Sequence, residues 1–356
     1  WRDGASRVLR VRIRIKGSGE GSKRLFLLKP DSILKMIAEV LLNVLFASIF
    51  VGTLYLTPAH IRRLSHNNPV QIKQRAKSTV LSCAVCGLLV YAWCHHLNPS
   101  SLSTLPTHHL LGLRTTGFVP ALVLPLLLTM VLFSGALVCK FFEHIIFQAI
   151  DQQHQQLSHR HNLKYGNGDG ATTATTPSNG CPTPRGIVAA VVLYLSNWPN
   201  VRTVLIAPVC EEFVFRSCMA AILLHAKTWT SGQITVVLPL FFGIAHGHHF
   251  YRLVSLEKKA VKQALVQCVF QFTYTTLFGI YATFIYLRTG HLVAAIACHC
   301  FCNWNGFPDL GWLLDKQDLT RTYKREIAVS YVVGIVLFCY GLYPVTNPEW
   351  YGSQLW

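Results

Sequence analysis

Residues 207–218 read APVCEEFVFRSC, which sets two adjacent carboxylates and an arginine inside an otherwise apolar run. A charged group at the centre of a bilayer costs roughly 3 kcal/mol or more unless it is paired or reached by water. Whether this stretch is a soluble core helix or a membrane-embedded one depends on its surroundings. The 356 residues are 51% hydrophobic and only 13% charged, and that balance is typical of a membrane protein rather than a soluble domain.

A helix needs about 20 apolar residues to cross a bilayer about 30 Å thick. Windows 36–57, 78–94, 118–139, 265–287 and 329–345 meet or approach that length, and Glu39 is the one charge among them. Four further apolar windows, 186–198, 204–224, 233–245 and 291–301, are short or interrupted by polar residues. The expectation is an all-α polytopic membrane protein of about eight membrane helices, some broken or short, around a polar catalytic cavity. The clean spans read as scaffold, and the interrupted ones are where chemistry is expected.

The formal net charge of +17 would point to nucleic acid in a soluble protein. Here the basic residues fall between spans, so the reading is topology and attraction to anionic lipid, with no nucleic-acid partner. Segment 58–77 carries Arg62, Arg63, Lys73, Arg75 and Lys77 and no acid, which puts it in the cytosol, and the basic connection 252–262 reads as another cytosolic face.

Residues 1–35 form a basic leader expected to be either not a native start, since the chain opens on Trp1, or without fixed structure. Residues 36–150 read as scaffold helices, 151–186 as a flexible polar loop, 187–345 as the catalytic helical core and 346–356 as a tail. The loop's His154, His159 and His161 read as solvated. The cysteines are scattered and mostly within apolar windows, where a thiol behaves as a small hydrophobe, and Cys83-x-x-Cys86 lacks the second pair a zinc site needs.

Three polar clusters stand in apolar helical segments: Glu211, Glu212 and Arg216; His246, His248 and His249; His299 and Asn303. At 100° per residue Glu212 and Arg216 share a face and can pair, while Glu211 is turned about 100° away. The expected division of labour holds Glu212 on Arg216 and leaves Glu211 facing a cavity as a general base. A structural salt bridge alone explains one glutamate and not the other. Phe242, four residues before His246, can pack beside its ring, and His249 lies within one turn.

His299 and Asn303 are one turn apart on one face, two donors of the kind a developing oxyanion requires, although an interhelical hydrogen bond is the plainer use of the pair. Asn305, Gly306 and Pro308 end that helix. The inventory is a base, a histidine beside it and two donors, which suits adding water to an amide. Neither a nucleophile elbow nor HExxH is present. A catalytic zinc on Glu211, His246 and His299 stays open as an alternative, and so does a scaffold or a transporter using Glu and His as a proton relay. The donor pair argues against the relay, which has no use for it.

In this order and setting, EExxxR (Glu211, Glu212, Arg216), FxxxH (Phe242, His246) and HxxxN (His299, Asn303) resemble the type II CaaX prenyl endopeptidases of the ABI superfamily, over roughly residues 187–345. The resemblance implies an intramembrane protease of the endoplasmic reticulum, reached from the cytosol, that removes the last three residues of prenylated CaaX proteins such as Ras-type small GTPases. It implies that Glu211 and His246 activate water, that His299 and Asn303 form the oxyanion hole, that Arg216 and Glu212 support them, and that no metal or cofactor takes part. Phe242, Phe270, Phe272, Tyr274 and Phe278 suit a prenyl groove or plain core packing, and none is assigned to substrate. Oligomeric state is left open.

Overall fold

A computed structural model describes residues 30–97, 105–165 and 184–356, and every regular element in them is helical. Most of the basic leader and the 166–183 part of the expected loop lie outside the described residues. The longer helices are α1 (Pro30–Tyr55), α2 (Pro69–Ala92), α3 (Phe118–Leu132), α4 (Ser134–Tyr165), α5 (Pro184–Ser196), α6 (Ala207–Glu212), α7 (Met219–Ala226), α8 (Ser231–Ala245), α9 (Val261–Thr289), α10 (Leu292–Asn305) and α11 (Lys324–Val345).

Four helical stretches, Ile33–Tyr55, Pro69–His96, Val261–Thr289 and Leu319–Val345, are long and apolar enough to cross a membrane. A fifth span results if α3 and the start of α4 are counted together across their 71° bend. The protein is thus an all-α polytopic membrane protein. Its outer surface is built for lipid: Leu88, Leu193, Val266 and Val332 are largely exposed, and Tyr340 is 84% exposed. A soluble protein rarely tolerates an apolar surface on that scale.

The window 118–139, expected as one clean span, is broken at Phe133, where the chain turns between α3 and α4. Small residues on both sides allow this. Ser134 Oγ donates to the Ser330 carbonyl at 2.7 Å, and a Cβ on Gly135 would sit 2.2 Å from the Tyr331 ring. The bend therefore packs tightly against α11. Beyond it α4 runs to Tyr165, so residues 151–165 are helical where composition predicts a loop. The DQQHQQ run is rich in glutamine and free of Gly and Pro, which favours helix, and Gln155 donates to Asp151 one turn back at 2.8 Å.

Residues 207–218 lie at the centre. From Ala207 to Ala226 the chain is continuously helical, widening to π geometry over Phe213–Cys218. Residues 214–223 are buried on every side, as expected of a helix that is apolar all round. Its neighbours include Phe46 and Phe50 of α1, Cys86 and Val90 of α2, Leu238 and Phe242 of α8 and Tyr286 of α9. The N-terminal scaffold and the catalytic segment thus share one core.

α8 and α9 pack antiparallel at close range. A Cβ on Gly243 would meet Thr276 Oγ1 at 2.4 Å, and one on Gly279 would meet Pro239 Cβ at 2.8 Å and Arg216 Nη2 at 3.2 Å. Small residues at such crossings let helices approach where no hydrophobic driving force separates protein from lipid. The approach brings the end of α8 over the arginine of the central helix.

Candidate active site

The three sequence clusters converge. Glu212 is fully buried, and its two oxygens serve different partners. Arg216 Nε lies 3.1 Å from Oε2, and His299 Nδ1 lies 2.6 Å from Oε1. The expected Glu212–Arg216 pair is present, but the second contact leaves no trace in the sequence, because the partners are 87 residues apart. Arg216 is capped by aromatic rings, its Cζ 4.2 Å from the Phe242 centroid and 5.7 Å from that of Phe278. Cation–π attraction compensates a guanidinium held away from water.

Glu211, one residue earlier, points elsewhere as the helical geometry requires. Its side chain is 19% exposed and reaches 3.8 Å from His299 Nε2. The His299 ring thus has a carboxylate beside each nitrogen, Glu212 on Nδ1 and Glu211 nearer Nε2. The Phe278 ring packs on it at 4.7 Å between centroids. That contact has no local sequence signal, since aromatics recur along α9 and only the helix crossing selects one of them.

His246 stands just past the end of α8, where the last backbone carbonyls lack helical partners. Its Nδ1 lies 2.8 Å from the Phe242 carbonyl oxygen. That acceptor requires a hydrogen on Nδ1, which leaves the Nε2 lone pair free in the neutral ring. The Phe242 ring stands edge-on to the imidazole at 4.7 Å, as the four-residue spacing anticipates. His248 turns back onto the Ala245 carbonyl at 2.7 Å, and the His249 ring lies 4.1 Å from that of His248, tilted by 39°.

Asn303 Nδ2 donates to the Thr203 carbonyl at 2.9 Å. One of its two amide hydrogens is used there and the other remains. α10 ends at Asn305 with Gly306 as its cap, as predicted.

Glu211, His246, His299 and Asn303 all line one cavity of about 920 Å³, whose remaining wall is mostly apolar and includes Phe270, Tyr274 and Phe278. Phe272 instead packs toward Gly243. Glu211, Phe242, His246 and Asn303 also line a second cavity of about 280 Å³. Among the described residues no group of three His, Cys, Asp or Glu side chains is arranged to hold a metal ion. What the arrangement offers is a carboxylate and an imidazole lone pair facing one space, with the second amide hydrogen of Asn303 and the Nε2 edge of His299 beside them.

Residues 194–305 match the family described as type II CAAX prenyl endopeptidase Rce1-like. The chain is 32% identical over 314 residues to CAAX prenyl protease 2 of Homo sapiens, covering 86% of this chain and 80% of that protein. It is 28% identical over 311 residues to CAAX prenyl protease 2 of Arabidopsis thaliana, covering 87% of this chain and 90% of that one. The protein of the same name from Rattus norvegicus is 29% identical over 314 residues, covering 86% and 79%. No solved structure matches the chain at a significant level.

Proposed function

From the premise that this chain belongs to the type II CAAX prenyl endopeptidase family, we propose that Glu211 and His246 activate the water that cuts its substrate. The protein is a membrane-embedded peptidase that acts on prenylated CaaX proteins, and the bond cut is the one after the prenylated cysteine, releasing the last three residues. The observation that carries the residue assignment is the shared cavity: Glu211, His246, His299 and Asn303 face one space although they come from three separate helical segments.

In this reading water sits between the Glu211 carboxylate and His246 Nε2. Its oxygen attacks the carbonyl carbon as its proton passes to the base, and the proton returns to the amine as the C–N bond breaks. The tetrahedral oxyanion forms opposite His299 and Asn303. Asn303 has a second amide hydrogen to give. His299, with Nδ1–H on Glu212, also donates from Nε2 when it is an imidazolium. Two carboxylates, one guanidinium and one imidazolium then sum to zero charge, which answers the cost of placing them in a membrane. Removing one such donor typically costs 10²- to 10³-fold.

The substrate's lipid explains the setting. A prenyl chain partitions into the bilayer at about 0.8 kcal/mol per buried CH₂, yet its amide needs water and polar groups. A cavity with apolar walls and a polar corner meets both needs. The reading sets the enzyme in the endoplasmic reticulum membrane with its site open to the cytosol. In support, both basic connections expected on that side, 58–77 and 252–262, contribute Arg62, Arg63, Arg75, Arg252 and Glu257 to one cavity of about 600 Å³.

The test is release of the C-terminal tripeptide from a farnesylated CaaX peptide by purified protein, with Glu211→Ala and a strong chelator as arms. Cleavage by the wild type, none by the variant and no chelator effect is the expected pattern. Loss of cleavage with chelator makes Glu211, His246 and His299 metal ligands instead, and a folded wild type that never cleaves sinks the residue assignment.

A further inference from the structure

The two cavities that meet at the catalytic residues differ in chemistry. The larger is walled by aromatic and aliphatic side chains. The smaller is lined by Arg75, Arg202, His66, His248 and His249, with Glu211 its one carboxylate among the described residues. Its cations lack matching anions. Among the described residues the Arg75 guanidinium has no hydrogen bond or ion pair, although it lies close enough to Arg202 and Arg252 to feel their charge. Among those residues Arg202 donates only to neutral oxygens, the His66 carbonyl at 2.8 Å and Thr203 Oγ1 at 3.3 Å. Arg252, in the adjoining cavity, is offset by Glu257 at 3.3 Å, but Lys259 claims the same carboxylate at 3.3 Å.

Like charges gathered in a half-buried pocket repel one another, and an anion arriving there removes that cost. The field acts on the neighbours as well. Burial first, and then the surrounding arginines, hold His66 down at about 4, and burial with the neighbouring histidines and arginines holds His249 down at about 2. Both rings are therefore neutral at physiological pH, and the fixed charge of the pocket is that of its arginines.

The substrate class taken under the proposed function places an anion where this pocket needs one. A CaaX end carries its lipid on one side of the scissile bond and a free carboxylate three residues beyond it, roughly 10 Å away when extended. With the lipid in the apolar cavity and the amide at Glu211, the chain end projects into the other cavity. We propose that Arg75 and Arg202 form a carboxylate-recognising subsite that takes the free C-terminus of the substrate and so sets the scissile bond three residues from the end. The planar fork of a guanidinium suits a carboxylate better than a lysine does. An internal prenylated cysteine or a longer tail lacks a carboxylate at that distance and is rejected. The inference rests on the protease reading, but it can fail while that reading stands.

The test compares kcat/KM for a farnesylated CaaX peptide as the free acid and as the C-terminal carboxamide, in phosphatidylcholine vesicles with and without phosphatidylserine. The acid is expected to be favoured on the order of 10- to 100-fold, the size of a charge-assisted hydrogen bond lost. Arg75→Gln and Arg202→Gln are each expected to shrink that ratio toward one, with Arg75→Lys keeping part of it. A wild type that cuts acid and amide equally overturns the subsite and leaves the protease reading intact, and this arm needs no variant to fold. Variants that slow both peptides with the ratio unchanged show a packing role and also overturn it. Loss of a phosphatidylserine effect with the acid preference untouched identifies the anion as a lipid headgroup and overturns the assignment to substrate. A wild type that cuts neither peptide overturns the protease reading itself.

Discussion

Glu212 Oε1 stands 2.6 Å from His299 Nδ1, so the carboxylate that neutralises Arg216 also aims the imidazole of a helix 87 residues away. Neighbouring glutamates thereby take different tasks. Glu212 is a fully buried anchor with two partners, and Glu211 is a partly exposed group without a close hydrogen bond among the described residues.

That contrast separates activity from stability. Glu211→Gln is expected to lower kcat by about 10²- to 10⁴-fold, the usual contribution of a general base, with little change in Tm. Glu212→Gln is expected to lower both, because it leaves Arg216 without a counter-ion, and orphaning a buried charge costs about 3–5 kcal/mol. Tripeptide release and thermal unfolding in detergent check the pair. Equal Tm losses in the two variants contradict the division.

Asn303→Ala is expected to reduce kcat by about 10²- to 10³-fold while KM changes little, because an oxyanion donor acts mainly in the transition state. The kcat and KM split decides it. A rise in KM alone makes Asn303 a substrate-binding group, and an unchanged rate confines it to the Thr203 hydrogen bond.

The α8–α9 crossing allows a steric prediction. Gly279→Leu forces a side chain into Pro239 and Arg216, and overpacking of this kind typically costs about 1–3 kcal/mol. A Cβ on Gly232 meets nothing within 4 Å. Gly232→Ala, in the first turn of α8, should therefore leave Tm unchanged or raise it slightly. Unfolding of both variants in the same detergent is the measurement.

His66 supplies a pH dependence outside the membrane spans. Burial and then Arg202, Arg75 and Arg252 lower it from 6.5 to about 4. The unfolded chain takes up a proton first as pH falls, so the stability His66 contributes is complete above pH 6.5 and is lost on descending through about 4. Tm is expected to fall across that window in the wild type and to fall less in His66→Gln. Identical slopes remove His66 as the source.

Much of this protein is legible in its sequence because membrane burial leaves a one-dimensional trace. Twenty apolar residues can only be a helix in lipid, so most of the spans and the end of α10 at Asn305 follow from composition and spacing. Polar residues inside such segments stand out against them, as EExxxR, FxxxH and HxxxN do. Helical geometry further separates Glu211 from Glu212 without any tertiary information.

Three things depended on how the helices cross. The apolar run 118–139 bends because Ser134 and Gly135 meet Ser330 and Tyr331, which no window around the bend contains. Glu212 reaches His299, and Phe278 covers that ring, because α9 and α10 pack against the central helix. Arg75, Arg202 and Arg252 gather in adjoining cavities from segments up to 177 residues apart, whereas along the chain Arg75 and Arg252 read only as topology signals and Arg202 lies outside both basic connections. Periodicity tells which face a residue is on, since it follows from 3.6 residues per turn. What that face meets is set by packing between distant segments, and that exists only in three dimensions.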